Sequence, residues 1–592
     1  MTKDIKVENY KVITVAPNLI QIEVLDTAAF KSSADSELSI GSYLKISDDN
    51  DLSMIAIVQS YRLKQQGAAF DGNAASRPVF ILDALPIGFT ASDGSFKRGG
   101  QKIAIPPSRV TMATEADLRK IYSSVEESKR FVFGTLSNAA AVDVALDGNR
   151  LFSTHIAIVG STGSGKSCTV AKILQEGIKQ SDGQKKRNLL NNSHIVIFDL
   201  HGEYKAAFPS ANHLAINNLV IPYWLLTSDE LEEMFVEISN EQNHNQRSQF
   251  RHAVIENKKL HNKHLQKISY DAPVYFSLDE VFNYLTNLNT EVISKVDGPG
   301  KDKPKLSDGN SIEKREGSYF QKILQFAALS QEKEKKASNG PLVGDLDRFL
   351  MRLEAKINDD RLSFILKPRK SDQSEYQTVD FADIVRRLVG YVSTDTANVT
   401  VLDLSGIPFE VLSIVVSLMS RLVFDLCFRH KKMLSKRATD DIKQHWPVLM
   451  VYEEAHKYVP RQQSAAFASV NKAIERIAKE GRKYGISLMI VSQRPSEISE
   501  TIFSQCNNVV AMRLTNPNDQ NYVQRLLPDA LGTITESLPS LEKREALVIG
   551  DAISLPTILR IGEVEHTPDS HDINVHHEWK KDWLDIEFEK VI

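Results

Sequence analysis

Two hydrophobic patterns divide the chain, and the change falls near residue 150. Up to about residue 112, short runs rich in Val, Ile, Tyr and Phe (11–15, 20–24, 43–46, 54–61 and 79–82) are separated by Asp, Ser and Gly clusters. β-Branched and aromatic residues at this spacing predict a small antiparallel barrel or sandwich. A charged stretch, 115–130, predicts a helix leading onward. From His155 the runs become near-continuously apolar: HIAIV (155–159), HIVIF (194–198), NVTVL (398–402), VLMVY (448–452) and ISLMIV (486–491). Such strands, separated by helical sequence, predict a parallel sheet covered on both faces. The expected division is a β-barrel over 1–112, a linker over 113–150, and an α/β core over 151–225 and 396–530. A helical insertion over 226–395 interrupts the core, and a C-terminal extension covers 531–592.

The insertion is mostly polar helical sequence, such as DRFLMRLEAKI with apolar residues at 349, 350, 353 and 357. Its segment GPGKDKPKLSDGNSIEKREGS (298–318) reads as a mobile loop. The most apolar long stretch, 411–428, is interrupted by Arg421 and Asp425. It falls short of the roughly 20 apolar residues of a membrane span, so a buried helix is expected.

Composition narrows the function classes. Over 592 residues, 72 Lys+Arg against 76 Asp+Glu leave a net charge of -4. That excludes a polycation coating nucleic acid through bulk charge. Apolar content of 42% excludes a mostly disordered chain. Cys168, Cys427 and Cys506 lie far apart, which argues against a disulfide framework or a Cys-based zinc site. The first residues carry no apolar signal core, and a cytoplasmic protein is expected.

The strongest chemical signal is Gly160-Ser161-Thr162-Gly163-Ser164-Gly165-Lys166-Ser167, followed by Cys168. It fits GxxxxGK[ST] in full, follows an apolar strand and opens a helix-compatible segment, as a P-loop must. Glycines let backbone N–H groups close around phosphates, and the helix N-terminus adds its positive end. Lys166 is expected to reach the β/γ-phosphates and Ser167 to ligate Mg²⁺. The bland alternative is a glycine-rich turn with a chance lysine.

Later strand runs end on polar groups: Asp199, Asp403, Glu453-Glu454 and Ser492-Gln493. Ligands of open α/β sheets sit beyond these strand ends. Each residue singly also suits a helix cap or a structural hydrogen bond. Glu453 is assigned to the Mg²⁺ shell and Glu454 to the attacking water. No NKxD element is evident, which favours ATP over GTP. Gln493 is placed to sense the γ-phosphate. Arg482 is a candidate arginine finger acting in trans, with Arg476 and Arg494 next in line; alternatively it is a solvated cation at a helix end.

Together HIAIVGSTGSGKS, FDLHGEY, VTVLDLSGIP, VYEEAHKYVP and EGRKYGISLMIVSQRPSEIS resemble the HerA-type ATPases of the HerA/FtsK superfamily. The resemblance implies a RecA-like P-loop NTPase core of α/β class behind an N-terminal small β-barrel. It further implies a homohexameric ring that hydrolyses ATP at subunit interfaces and passes double-stranded DNA through its pore. Carried over by residue, Lys166 and Ser167 match the P-loop pair, Glu454 the catalytic glutamate and Gln493 the polar sensor. Asp199 matches the acid of the DxHGEY segment, and Arg482 the trans-acting arginine. The Mg²⁺ set is then Ser167, Glu453 and Asp199, directly or through water. Glu453 in place of Asp is a small departure that the family pattern tolerates. Relatives work with a NurA nuclease in end resection, or beside a sirtuin-like NADase or a nuclease effector in anti-phage systems. A different class of reading is a nucleotide-gated scaffold that assembles an effector without processive translocation. Lys205 and the QKKR run at 184–187 are candidate DNA-facing cations or solvated surface. His201 and His456 are expected to orient acids or backbone, and His571, His576 and His577 to be solvated.

Overall fold

A computed structural model describes residues 10–25, 41–47, 53–65, 78–90, 96–98, 109–178, 192–236, 244–391, 397–436, 445–462, 467–525, 529–570 and 573–584. The N-terminal strands are β1 (Tyr10–Ala16), β2 (Leu19–Val24), β3 (Tyr43–Ser47), β4 (Ser53–Gln65), β5 (Pro78–Thr90), β6 (Phe96–Arg98) and β7 (Arg109–Met112). They pair antiparallel in the order β1-β2-β5-β4-β3-β7, with β6 on β5. Alternation puts Ile20, Ile22, Val24, Leu44, Ile46, Leu82 and Ala84 on one buried face. The end strands β1 and β7 approach each other, but among the described residues they share no ladder. The expected barrel is therefore a half-barrel, an open curled sheet.

Helix α1 (Glu115–Tyr122) is started by a Thr114–Asp117 capping box. It ties the half-barrel to the rest of the chain. Lys45 bridges to Asp117 at 2.8 Å, and the Tyr122 hydroxyl is 2.9 Å from that of Thr557.

The larger sheet has 11 strands. In chain order these are β8 (Arg130–Leu136), β9 (Ala139–Asp147), β10 (His155–Val159), β11 (His194–Asp199) and β12 (Asn212–Leu214). A separate hairpin is made by β13 (Val292–Ser294) and β14 (Ala337–Asn339). The sheet resumes with β15 (Val399–Asp403), β16 (Val448–Tyr452), β17 (Ile486–Ser492), β18 (Cys506–Ala511), β19 (Glu545–Gly550) and β20 (Thr557–Ile561). Their spatial order is β12-β15-β11-β16-β17-β10-β18-β19-β20-β8-β9. From β12 to β18 every pairing is parallel. The flank from β18 to β9 is antiparallel.

This corrects the wholly parallel expectation. Stretches read as a linker (113–150) and an extension (531–592) supply β8, β9, β19 and β20 of the main sheet. They complete it from both ends of the chain, as antiparallel strands not bound by the crossover rule.

Helix α2 (Lys166–Ile178) follows β10. The region 226–395 carries α3 (Ser228–Phe235), α4 (His244–His261), α5 (Leu278–Thr290), α6 (Asp347–Ile357) and α7 (Phe381–Leu388) around the β13–β14 hairpin. The segment 298–318, read as mobile, packs instead. Arg315 donates to Glu291, whose side chain is 1% exposed, and the Tyr319 hydroxyl adds a 2.7 Å bond. A buried carboxylate holds its partners because leaving them would strand its charge.

Helix α8 (Phe409–Lys436) is long and apolar enough to cross a membrane, yet 78% of its apolar window is buried in the protein. Arg421, which breaks the apolar run, donates to buried Glu230 of α3 at 3.0 Å and to the Leu225 carbonyl at 2.7 Å. The next helix of the core is α9 (Ala468–Glu480), where Arg476 stacks 4.2 Å from the Phe424 ring.

Replacing Arg315 by Ala should cost roughly 2 kcal/mol, below the roughly 3–5 of a fully buried pair because Arg315 is partly exposed. Limited proteolysis should then cut within 298–318 faster than in the parent. Unchanged cleavage would show that the segment is held by something other than Glu291.

Candidate active site

The parallel register brings the site together. Val159 of β10 is level with Ser492 of β17. Tyr452 of β16 is level with Ile490 on one side and Phe198 on the other. The residues just beyond these levels, Gly160, Gln493, Glu453-Glu454 and Asp199, therefore emerge at one edge.

The P-loop spans from β10 into α2. Gly163 and Gly165 take φ of +76° and +102°, a region glycine enters without steric cost. Lys166 Nζ donates to the Ser161 carbonyl at 3.4 Å. Burial pulls the Lys166 pKa below its usual value, opposed by Glu454, Glu453 and Glu203. The Thr162 hydroxyl donates to Gln493 Oε1 at 2.7 Å, so the proposed sensor touches the loop.

The acids divide into distinct roles. Asp199 accepts from Gly202 N–H (2.9 Å) and Glu203 N–H (3.1 Å) on Oδ1, and from Tyr204 N–H (2.8 Å) on Oδ2. Both of its oxygens organise the HGEY turn, an arrangement that suits the water-mediated form of its expected Mg²⁺ role better than the direct one. Gly202 takes φ of +73° in this turn, a region glycine enters without steric cost. Asp403 itself accepts from the Ser405 backbone (2.9 Å) and hydroxyl (2.6 Å), a local turn role.

Glu453 is 4% exposed. Burial first, then the neighbouring charges of Asp199 and Glu203, push its pKa well above the usual carboxylate range. Both causes favour its protonated form. For Glu454, burial also pushes upward, but His456, Lys166 and the Gln493 backbone win and hold it below the usual range. His456 Nδ1 lies 3.2 Å from Glu454 Oε2. Its hydrogen bond, however, is with the Ser492 hydroxyl at 3.1 Å, leaving Glu454 Oε2 unpartnered. Glu454 also sits in the left-handed region (φ 45°, ψ 45°), strain of about 1–3 kcal/mol that marks functional positions.

The pattern reading missed Glu203. Burial raises its pKa, and the Ser167 hydroxyl is the first group opposing that shift. The structure thus brings Glu203 to the Mg²⁺-type serine. The available signal was the acid four residues beyond a strand end, carried back by the Asp199 turn.

Other sequence candidates lie elsewhere. Arg482 is at the opposite end of β17, donating to Asn507 Oδ1 at 3.4 Å, and does not join its own P-loop. Arg476 stacks on Phe424, and Arg494 pairs with Glu497 at 2.6 Å. His201, Lys205, His576 and His577 are exposed. The run 184–187 and His571 lie outside the described residues.

Three buried carboxylate oxygens, on Glu203, Glu453 and Glu454, have no hydrogen-bond partner. Such orphans beside a lysine and a P-loop serine fit a bound Mg–nucleotide. Among the described residues, no three acids, His or Cys gather into a metal cluster. That suits Mg²⁺, which keeps waters and takes few protein ligands beside the phosphates. When bound, Mg²⁺ would neutralise phosphate charge, with Ser167 and, through water, Glu203 or Glu453 as its holders. Ionised Glu454 is the group able to orient a water and accept its proton.

A Gly-rich loop opening a helix, with Lys166, Ser167 and an ionised glutamate at the end of β16, one strand removed from β10, defines a P-loop ATP hydrolase. The sequence matches the family described as helicase HerA, central domain, over residues 131–423. The DNA double-strand break repair helicase HerA of Sulfolobus acidocaldarius is 25% identical over 543 residues, 90% of this chain and 86% of that protein. The protein of the same name from Sulfurisphaera tokodaii is 27% identical over 551 residues, covering 91% and 88%. Residues 131–423 belong to that family, and the likeness to HerA proteins runs over most of the chain. Among solved structures, the plasmid coupling protein TrwB with a non-hydrolysable ATP analogue aligns at TM-score 0.43 and 12% identity, over 78% of this chain and 95% of that one.

Two outcomes follow for the paired glutamates. Glu454→Gln should lower ATP turnover by about 10²–10⁴ while nucleotide affinity, read by fluorescent-analogue titration, stays within a few fold. For Glu453 the unfolded chain loses its proton near 4.5, whereas the folded chain keeps it to much higher pH. Above that point the folded state binds more protons, so stability falls as pH rises. Melting temperatures of Glu453→Gln should therefore drop less than the parent's between mildly acidic and mildly alkaline buffer.

Proposed function

We propose that the chain forms a ring and couples ATP hydrolysis between subunits to movement along, or remodelling of, double-stranded DNA. The observation that carries this reading is the breadth of the likeness to proteins named as DNA double-strand break repair helicases, 90% of this chain in one case. It takes in the N-terminal region as well as the ATP site. Arg482 adds a geometric argument. It stands a full strand away from its own P-loop, roughly 20 Å at the rise of a β-strand, so only a neighbouring copy can receive it as a finger.

In this reading an effector of nuclease or NADase class docks on the N-terminal half-barrel, in DNA repair or anti-phage defence. A second reading, a nucleotide-gated scaffold, draws on the packed region 244–391, which contributes no residue to the ATP site. The two separate in Glu454→Gln: a motor loses its output, whereas a scaffold keeps an assembled effector that follows ATP occupancy.

Linear duplex DNA should stimulate ATP turnover of the assembled protein several-fold. Subunits bearing Arg482→Ala, inactive alone, should regain turnover when mixed with equally inactive Glu454→Gln subunits, because mixed interfaces pair an intact Arg482 with an intact Glu454. Lack of both stimulation and DNA binding at low salt would remove the motor. Failure of the mixture to recover would move the finger to another arginine.

A further inference from the structure

Among the described residues, four that are not glycine have left-handed backbone: Asp302, Gln373, Glu454 and Arg544. Two lie in turns of the 244–391 region. The other two, from distant parts of the chain, flank the P-loop. Glu454 has a place in the chemistry already; Arg544 has none.

Arg544 precedes β19 in the C-terminal region and takes φ of 70°. Its backbone is pinned on both sides. The N–H donates to the Ser164 carbonyl of the P-loop at 3.1 Å, and the carbonyl accepts from Ile561 N–H of β20 at 2.8 Å. The side chain lies over the loop, since a Cβ added at Gly165 would be 3.6 Å from Arg544 Cγ. A glycine would hold this turn without strain, so an arginine here retains a cost that usually accompanies function.

The guanidinium has little to hold it in place. Its ion pair is with Glu563 at 4.0 Å, and that glutamate side chain is 93% exposed. An exposed, long pair of this kind contributes little and gives way to a better anion. Lys543 precedes it in the chain. Burial raises the Cys168 thiol, and Arg544 and then Lys543 are the charges that pull it back, which sets both cations beside the first turn of α2.

P-loop backbone amides cradle the α/β-phosphates, while the loop lysine reaches further, to β/γ. Arg544, whose stem passes the loop at Gly165, carries a planar guanidinium that matches phosphate oxygens in a bidentate fork. We propose that Arg544, backed by Lys543, is a nucleotide-binding residue acting in cis, clamping the α/β-phosphate portion that ATP and ADP share. This rests on the P-loop being the nucleotide site.

The test is equilibrium binding of fluorescent ATP and ADP to the full chain, with melting temperatures measured alongside. Arg544→Gly should weaken both nucleotides by about tenfold, the loss of one charge-assisted hydrogen bond, with a melting temperature equal to or above the parent's. Arg544→Gln, which keeps the stem and the backbone strain, should show the same loss, and Arg544→Lys a smaller one. Lys166→Ala serves as the reference. If it binds both nucleotides like the parent, the P-loop site itself is wrong. If Lys166→Ala loses binding while both Arg544→Gly and Arg544→Gln stay within twofold of the parent for both nucleotides, the clamp is overturned. A loss confined to ATP would overturn it as well, by putting the guanidinium at the γ-phosphate.

Discussion

Four carboxylates, Asp199, Glu203, Glu453 and Glu454, share one edge of a sheet with a single ammonium group, that of Lys166. Left alone, such a group of buried like charges would be too costly to fold. The structure resolves the conflict residue by residue. Asp199 keeps its oxygens satisfied with three backbone N–H groups. Glu453 is pushed toward its protonated form, and Glu454 keeps its charge with His456 and Lys166 as neighbours. Glu203 rests against the Ser167 hydroxyl. The geometry of the HGEY turn follows from the first of these, with three N–H groups closing on Asp199. The same excess of negative charge makes the site receptive to a divalent cation arriving with its nucleotide.

That arrangement was legible in the sequence only where chemistry and chain order coincide. The P-loop could be read because eight consecutive residues encode both the turn and the ligands. The strand-end acids could be read because apolar strands advertise where they stop. Glu203 could not, since its approach to Ser167 depends on a turn closed by Asp199 rather than on spacing. Arg544 was hidden for a related reason: neither its positive φ nor its contact with Gly165, hundreds of residues earlier, leaves a mark in composition.

The fold divides in the same way. Apolar runs identified the parallel centre of the sheet, because strands buried on both faces need near-continuous hydrophobicity. The antiparallel flank was missed. RFVFGTL finds one partner across most of the chain, with Leu136 opposite Leu559, and EALVIG sits between two antiparallel neighbours, β18 and β20. The polar segment 298–318 has a loop's composition but is packed by one buried carboxylate, Glu291, which a pattern of hydrophobic positions does not report. Arg421 is the reverse case: a charge within an apolar helix argued against a membrane span, and Glu230 is the partner that lets it stay buried.

The pairing of β8 with β20 also sets an order of events during synthesis. Strands from residues 130–147 leave the ribosome early, but their partner at 557–561 emerges more than four hundred residues later. Until then one edge of the large sheet has no neighbour, and the turn at Arg544 cannot close on the loop at Ser164. Non-local pairing of this kind is slow and exposes unpaired edges. A nascent chain therefore carries a P-loop long before it carries the strand β20 and the Arg544 turn that closes against it.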